Sequence, residues 1–215
     1  MTYAAYPFIA TGAYLLGGIN PAYIYSRSKG FDIRDKGTGN PGASNAMVLF
    51  GRKVGLITAL LDIMKAYLAI ILASALFPQT SLAKEVAGVS CILGHMFPAQ
   101  LKFRGGKGLA CLGGIVLAYD PLCFLIMICS GAILALITGY LAVVPILASA
   151  AFPFIYRING GSTAGMILYL IPACAMWIKH IENVRRIFSG REIRISILWN
   201  RERELERVNK TNKRR

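Results

Sequence analysis

The sequence predicts an all-α integral membrane protein, on the basis of its composition and the spacing of its apolar segments. Of its 215 residues, 55% are hydrophobic and only 16% are charged, and the mean hydropathy is +0.54. A soluble domain averages ~45–50% apolar and ~25% charged residues. The net charge of +14 does not indicate a nucleic-acid partner, because the basic residues lie between and after the apolar segments.

Seven segments are apolar enough to cross a hydrocarbon layer of ~30 Å as helices. The fourth segment is short and rich in glycine, so we expect it to be tilted, broken or only partly inserted. The fifth and sixth can be divided in more than one way around Thr138, Gly139 and Tyr140. The seven segments are 4–26, 54–77, 83–100, 107–119, 121–138, 140–157 and 162–180.

The basic residues predict the orientation of these segments. Segment 27–53 holds six Lys and Arg residues, the connection 101–107 holds three and residues 179–215 hold twelve, together 21 of the 24 in the chain. Seven spans place all three regions on one face, and an excess of Lys and Arg marks the cytoplasmic face. The sequence therefore predicts a multi-pass protein of the cell membrane, with the N-terminus outside and the C-terminus in the cytoplasm.

The same pattern divides the chain into a membrane domain at residues 1–188 and a basic cytoplasmic tail at residues 189–215. The alternating charges of residues 201–207 fit a short helix on anionic lipid and a frayed, solvated segment equally well. The five cysteines lie in apolar segments without a C-x-x-C pair, which is typical of small buried side chains. We expect neither a metal site nor a cofactor, because no cluster of metal-ligating residues occurs.

The first candidate site is the loop at 32–45, between the first two apolar segments. Its glycines tolerate a positive φ, and its small residues allow backbone N–H groups to approach a phosphate. Two hydroxyl groups and the N-terminus of a following helix would add donors. By composition alone, a flexible linker is about as good an interpretation. The candidate residues are Gly37, Thr38, Gly39, Asn40, Gly42, Ala43, Ser44 and Asn45.

The second candidate site is a glycine-rich run beside Lys107. Gly105, Gly106 and Gly108 surround this lysine, so its ammonium stands beside exposed backbone, as at a phosphate site. A basic membrane anchor is the plainer interpretation, and it covers Lys102. His95 lies in the apolar segment just before, where a lone histidine is more often a packing residue than a catalyst.

Two further groups carry polar side chains at the membrane face or within a span. His180 and Asn183 lie at the end of the last apolar segment and share a helix face at i, i+3. A basic collar would explain the neighbouring arginines but not this pair. Asp62 and Lys65 lie within the second segment at the same spacing, where we expect them to pair with each other.

Together these motifs resemble the bacterial acyl-phosphate:glycerol-3-phosphate acyltransferase family, and the resemblance covers nearly the whole chain. The family consists of integral membrane enzymes with seven helices. The motifs that carry the resemblance are Gly-Gly-Ile-Asn-Pro at 17–21, the loop at 32–45, Leu-Asp-Ile-Met-Lys at 61–65, Gly-His-Met-Phe-Pro at 94–98, Phe-Arg-Gly-Gly-Lys-Gly at 103–108 and Lys-His-Ile-Glu-Asn-Val-Arg-Arg at 179–186.

The resemblance implies a reaction and a set of site residues. An acyl group would pass from acyl phosphate to the 1-hydroxyl of glycerol 3-phosphate, giving lysophosphatidic acid and phosphate for phospholipid synthesis at the membrane lipid. The resemblance further implies that Lys107, His180, Asn183 and Thr38 act in catalysis. The glycine-rich loops at 37–45 and 105–108 would hold the phosphate groups.

The chain departs from the family pattern at several positions. An arginine is usual three residues after the last asparagine of the first loop, where this chain has Val48. The other departures are Ala142 and Thr38 near or at positions of family serines, Gly18 in place of another serine, and Lys179 and Ile181 in place of arginines. The alternative function is therefore a catalytically weakened paralogue that binds phosphate-bearing lipid. A small transporter fits less well, because the polar residues concentrate on one side of the predicted membrane.

Overall fold

The computed structural model describes residues 4–213, with the side chains as far as residue 207, and no strand occurs in this range. The predicted all-α class is therefore confirmed. The ten α-helices of this range are α1 (Ala5–Gly18), α2 (Pro21–Ser28), α3 (Ala43–Phe50), α4 (Arg52–Leu76), α5 (Ala83–Met96), α6 (Leu109–Tyr119), α7 (Pro121–Thr138), α8 (Val143–Ile158), α9 (Thr163–Phe188) and α10 (Arg201–Lys213). Short 3₁₀ turns occupy Ile33–Asp35, Ala99–Leu101 and Ile195–Leu198.

Three of these helices, α4, α7 and α9, are long and apolar enough to cross a membrane, judged by length and composition. Helices α6 and α8 are shorter apolar helices. The fourth predicted segment indeed forms a short helix, α6, of 11 residues. The number of seven spans and the positions of the two termini stay predictions.

The first predicted span, 4–26, is wrong as a continuous helix, because the chain breaks between α1 and α2. Pro21 has no N–H group to continue the hydrogen-bond ladder, and Asn20 instead caps the new helix by accepting from the Tyr23 N–H at 2.8 Å. The Asn20 amide also donates to the Pro41 carbonyl at 2.7 Å, which ties the break to the first glycine-rich loop.

The last predicted span, 162–180, is part of a longer helix that continues to Phe188. Apolar patterning ends near residue 181, but the following residues favour a helix, and Arg186 lies 4.0 Å from Glu182 one turn earlier. His180 and Asn183 therefore lie inside α9. Both are buried and share its inner face, as their spacing predicted.

Helix α5 packs against α1, α4, α6 and α9 at the centre of the fold. Glycine allows the closest approaches. A Cβ added at Gly17 would lie 2.0 Å from the Cys91 carbonyl oxygen, and one at Gly94 would lie 2.1 Å from that of Tyr14. Between α4 and α6, Gly114 has the same relation to the Ile63 carbonyl, at 2.1 Å. Small residues let membrane helices approach to backbone contact in this way.

The tail contains a helix, α10, which returns to the body of the protein. The Arg201 guanidinium donates from Nε and Nη2 to the Val48 carbonyl, at 2.8 and 2.5 Å. Arg207 donates to the carbonyls of Gly190 and Glu192, both at 2.6 Å. Glu204 of this helix is buried and accepts from the Arg194 N–H at 2.8 Å. The tail is thus packed against α3 and the end of α9.

We predict that Gly17→Ala destabilises the protein, because the added methyl group meets the α5 backbone, which cannot rotate away. Overpacking of this kind costs about 1–3 kcal/mol. Gly12→Ala is the matched control in the same helix, since nothing lies within 4 Å of an added Cβ there. Thermal unfolding in detergent should show a lower midpoint for Gly17→Ala and an unchanged or higher one for Gly12→Ala. Equal midpoints would mean that α1 and α5 are not in backbone contact.

Candidate active site

A buried ionic network lies where α1 ends. The Lys65 ammonium is 2.7 Å from Asp62 Oδ1, donates to the Ile19 carbonyl at 2.7 Å and lies 3.0 Å from His95 Nδ1. The predicted pairing of Asp62 with Lys65 is therefore confirmed. His95 Nδ1 also lies 3.4 Å from Asp62 Oδ1, so the imidazole contacts both members of the ion pair. Lys65 thereby satisfies a carbonyl that the break after α1 leaves without a helical partner.

Asp62, His95 and Cys111 are close enough to hold a metal ion, with one ligand atom from each within 4.8 Å of the others. The Lys65 ammonium, however, contacts the Asp62 carboxylate and the His95 ring nitrogen that a metal would use. The ammonium of Lys65, a side chain of the protein itself, thus already occupies the place of a cation beside these atoms. The arrangement fits a structural ion pair better than a metal centre.

The glycine-rich run before α6 folds back onto the end of α5. The Gly105 N–H donates to the Met96 carbonyl at 3.2 Å, and the Gly106 N–H donates to that of His95 at 3.0 Å. A Cβ at Gly106 would lie 2.1 Å from His95 Nε2. These two amides are thus used within the protein, and the close packing explains why the position beside the imidazole is a glycine.

Lys179 fixes the same run from the side of α9. Its ammonium donates to the carbonyls of Met96, Gly105 and Gly106, at 2.5, 3.1 and 3.1 Å. Its three N–H groups therefore join the end of α5, the glycine run and α9 at one point. The substitution of a family arginine by Lys179 leaves a cation that fills this position.

Lys107 emerges from this fixed run and meets α9. Its ammonium donates to Asn183 Oδ1, and the Asn183 amide donates to Glu192 Oε1 at 2.8 Å. Glu192 also accepts from Arg186 Nε at 2.9 Å and is buried. A continuous chain of four polar side chains thus runs from the glycine-rich run to the start of the tail. It brings together Lys107 and Asn183, which the sequence placed in separate motifs.

The environment of Lys107 weakens its protonation. The lysine lies in the loop before α6 begins, is half-buried, and has the Arg186 guanidinium nearby. Burial, followed by repulsion from Arg186, lowers the pKa of Lys107 to about 8. An ammonium in this state has lost part of its hydration, so an arriving anion gains more from it than from an exposed lysine.

His180 is buried on the same face of α9. Its Nδ1 lies 2.7 Å from the Met176 carbonyl oxygen, one turn earlier. A carbonyl can only accept, so Nδ1 carries the proton and Nε2 is left as the acceptor. No hydrogen bond to Nε2 comes from the side chains described, which extend to residue 207, or from the described backbone. The ring is therefore fixed in the tautomer that can receive a proton or a hydroxyl hydrogen bond.

The first glycine-rich loop is organised around Asn45, which is fully buried. Its amide donates to the carbonyls of Ile33 and Lys36, at 3.1 and 3.0 Å, and its Oδ1 accepts from the Thr38 N–H at 2.9 Å. The loop turns through Gly37 and Gly39, whose φ angles are +61° and +72°, as the glycines predicted. Asn45 therefore holds the loop in shape.

Part of this loop's backbone is already used within the loop. The Gly39 N–H donates to the Lys36 carbonyl at 3.1 Å, and the Gly42 N–H to that of Asn40 at 2.9 Å. The predicted helix N-terminus is present, because α3 begins at Ala43 and has no side-chain cap. The first amides of α3, at Ala43, Ser44 and Asn45, are thus the donors best placed for an anion.

The two glycine-rich loops are joined by Arg34. Its Nη1 donates to the Leu101 carbonyl at 2.7 Å, and Asp32 accepts from its Nη2 at 2.6 Å. The Arg34 guanidinium holds the pKa of the Asp32 carboxyl below its usual value. Over the described range, no hydrogen bond links residues 37–45 directly to Lys107, His180 or Asn183.

Sequence reasoning missed two residues of this site, Glu192 and the positioning lysine Lys179. Glu192 lies beyond the last apolar segment, in a stretch that reads as a solvated tail. Lys179 reads as one more cation of the basic collar. The sequence did contain one signal for Glu192. It is a single acidic residue two positions after Gly190, where the chain leaves α9 and turns back.

The arrangement defines a class of protein, an integral membrane enzyme with a cationic, helix-terminus site suited to phosphate. Comparison with known proteins gives the family. Residues 7–190 match the family model described as glycerol-3-phosphate acyltransferase. The chain is 35% identical over 184 residues to the glycerol-3-phosphate acyltransferase of a Thermoanaerobacter species, covering 85% of this chain and 92% of that protein. The Rhizobium meliloti protein of the same name is 38% identical, covering 85% and 88%.

The chain belongs to the glycerol-3-phosphate acyltransferase family. A crystal structure of PlsY (YgiH), an integral membrane glycerol 3-phosphate acyltransferase in its glycerol 3-phosphate form, matches with a TM-score of 0.83. The identity is 29%, and the match covers 90% of this chain and 97% of that one. The lysophosphatidic acid form matches with a TM-score of 0.79. The predicted family and the membrane character are therefore confirmed.

We predict that Lys65→Met strongly destabilises the fold, because it leaves the buried Asp62 carboxylate and the Ile19 carbonyl without their cation. Breaking a buried ion pair by removing one partner costs about 3–5 kcal/mol. Lys53→Met, an exposed lysine of the same helix, is the control. The denaturation midpoint in detergent should fall for Lys65→Met alone. A midpoint like that of the control would show that the network does not hold α1, α4 and α5 together.

Proposed function

We propose that this protein transfers an acyl group from acyl phosphate to glycerol 3-phosphate, producing lysophosphatidic acid and inorganic phosphate. Membership of the acyltransferase family supports the enzyme class and the acceptor. The two PlsY crystal forms, named for glycerol 3-phosphate and lysophosphatidic acid, correspond to an acceptor and a product of such a reaction. Acyl phosphate as the donor is what the resemblance of the sequence motifs implies, and the chemistry of this site suits it.

The observation that carries the proposal is the position of Lys107. Its ammonium is partly desolvated, fixed by Asn183 and presented from a loop that Lys179 holds on three carbonyls. Helix α6 begins two residues later without a side-chain cap, so its first amides point towards the same region. Cation and helix N-terminus together are what a phosphate requires.

Such a site suits acyl phosphate because the donor is already activated. In the proposed step, the glycerol 3-phosphate hydroxyl oxygen bonds to the acyl carbonyl carbon, and the bond between that carbon and the phosphate oxygen breaks. The leaving phosphate takes the electron pair, and the hydroxyl proton, first hydrogen-bonded to His180 Nε2, ends on that phosphate. The protein then contributes positioning and charge stabilisation, without a covalent nucleophile.

His180 and Asn183 have separate roles in this scheme. His180 Nε2 accepts the hydrogen bond of the attacking hydroxyl and orients it, since Nδ1 is committed to the Met176 carbonyl. Asn183 holds Lys107, and Glu192 in turn holds Asn183. Glu192 is therefore a positioning residue, separated from the substrate by the side chains of Asn183 and Lys107.

The first loop supplies the second phosphate contact in our proposal. The free donors are the hydroxyl groups of Thr38 and Ser44 and the first amides of α3, which the helix dipole favours for an anion. Gly37, Gly39, Asn40 and Gly42 shape the turn that leads to them, and Asn45 braces it. Gly105, Gly106 and Gly108 do the same for Lys107.

We also propose that this site faces the cytoplasm. The regions that carry 21 of the 24 Lys and Arg residues, at 27–53, 101–107 and 179–215, include the site loops and the tail. An excess of basic residues marks the cytoplasmic face, where anionic lipid attracts them by about 1 kcal/mol each. Water-soluble glycerol 3-phosphate would reach the site from that side, and the acyl chain from the lipid.

We predict that purified protein releases phosphate from palmitoyl phosphate only when glycerol 3-phosphate is present. Palmitoyl coenzyme A, supplied instead, should support no acylation. Lys107→Ala should lower kcat/KM at least about 100-fold, because a lost electrostatic contact in the transition state costs about 3 kcal/mol or more. Lys102→Ala, an exposed lysine five residues earlier in the chain, should leave the rate unchanged.

Two outcomes would contradict this assignment. Equal rates for Lys107→Ala and Lys102→Ala would remove Lys107 from the site. Binding of glycerol 3-phosphate without turnover of any acyl donor would support the alternative of a weakened, ligand-binding paralogue, in which Val48 and Ala142 mark the lost functions.

We predict a decline of kcat/KM as the pH rises through about 8, because Lys107 loses its proton there. The cationic form is present below this pH and binds phosphate, so activity lies on the acidic side. Lys107→Arg keeps a cation at all these pH values, and its profile should lack the decline even if its rate is lower. The same alkaline decline in Lys107→Arg would assign it to another group.

A further inference from the structure

A cavity lies near the start of α5, at the other end of this helix from the glycine run of Lys107. Its volume is about 310 Å³, and its walls include Glu85, Tyr119, Asp120, Phe152 and Tyr156. Glu85 is in the first turn of α5, whereas His95 is in the last, next to the glycine run of Lys107. Glu85 and His95 are ten residues apart, so at 1.5 Å per residue α5 separates the two regions by about 15 Å.

Three aromatic residues, Tyr119, Phe152 and Tyr156, line the cavity and belong to a cluster that also includes Tyr169. Tyr119 and Tyr156 meet edge to face, with centroids 5.3 Å apart, and Tyr169 packs against Tyr156 at the same distance. Phe152 completes the cluster, 4.9 Å from Tyr169. Aromatic faces carry negative partial charge and attract cations, quaternary ammonium groups in particular.

A buried carboxylate stands beside these rings. Glu85 is 8% exposed, and its Oε1 accepts from the Tyr156 hydroxyl at 2.6 Å. Its Oε2 has no hydrogen bond within the described chain. Tyr169 donates to the Tyr119 hydroxyl at 3.0 Å, which leaves the Tyr119 proton free for the cavity. Buried carboxylates are normally paired, so Glu85 is available to a cationic partner.

The charges around the cavity have the opposite sign to those of the protein. Two carboxylates, Glu85 and Asp120, and one ammonium, Lys84, line it, in a chain whose net charge is +14. Lys84 is exposed, and no ion pair joins it to either carboxylate in the described residues. Its Nζ instead lies 6.0 Å from the centroid of the Tyr119 ring. The ammonium of Lys84 thus already lies near the aromatic ring to which we assign the ammonium of a ligand.

We propose that this cavity binds the ammonium group of an amine-bearing ligand, on Glu85 and the faces of Tyr119 and Tyr156. The headgroup of an amine-bearing phospholipid and a small free amine share this chemistry. The site is separate from acyl transfer, and the proposal does not rest on that function. Three exposed side chains offer apolar surface to the acyl chains of a lipid. Ile155 lies on the cavity wall, and Leu122 and Ile158 are close in sequence to other residues that line the cavity.

Two substitutions with opposite expected effects test the proposal. Glu85→Gln keeps the size of the side chain and an acceptor for Tyr156, and removes the charge. It should weaken binding of the ammonium ligand about tenfold, as expected for a lost charge-assisted hydrogen bond. Lys84→Met removes the competing ammonium from the Tyr119 face and should strengthen binding about two- to fivefold. Glu202→Gln, an exposed glutamate of α10, is the matched control and should leave binding unchanged.

The measurement is binding to delipidated protein in detergent, by native mass spectrometry and by the shift in thermal midpoint. Phosphatidylethanolamine and phosphatidylglycerol with identical acyl chains form the lipid arm, and ethanolamine and choline form the soluble arm. We expect phosphatidylethanolamine to be retained over phosphatidylglycerol in wild type and the preference to be lost in Glu85→Gln. Equal binding of soluble amines and the amine lipid would assign the site to a free amine.

Three results would overturn the proposal. They are equal retention of the two lipids together with no binding of the soluble amines, an unchanged preference in a folded Glu85→Gln variant, and weaker binding in Lys84→Met. The last result would indicate an anionic ligand held by the lysine. Lys84 is exposed, so Lys84→Met is expected to fold. This variant keeps the test decisive even if Glu85→Gln does not fold.

Discussion

The ammonium of Lys65 is the contact on which the arrangement of this protein depends. It pairs with Asp62, donates to the orphan carbonyl at the end of α1 and contacts the His95 ring. The broken first helix, which brings Asn20 to the first loop, is therefore stabilised by a charge from α4. Through His95, the same charge supports the glycine-rich run that presents Lys107. One buried cation thus connects both loops of the site to the membrane core.

The sequence was most informative where one physical factor dominates. Apolar length predicted the α-helical membrane class, and i, i+3 spacing predicted the Asp62–Lys65 pair and the shared face of His180 and Asn183. It failed at Asn20, where a hydropathy window averages over a single cap and proline. It could not predict the docking of Arg201 on Val48, because that contact joins residues 153 positions apart.

The site shows the same division between pattern and context. Composition identified both glycine-rich loops, but not that much of their backbone is used internally. Asn45, Lys179 and the α5 carbonyls take up groups that a pattern alone would assign to the ligand. Fewer groups are therefore left to bind phosphate: two helix N-termini, a few hydroxyl groups and Lys107. Glu192 escaped notice because its partners, Asn183 and Arg186, lie across a turn that only the fold reveals.

The glycine contacts between α1 and α5 limit how this family can exchange parts. At Gly17 and Gly94, each helix presents bare backbone to a carbonyl of the other, so neither surface has side chains that could adjust. Changes on one helix must then be matched on the other. A chimera that takes α1 from one relative and α5 from another would therefore assemble only if both donors keep small residues at these positions.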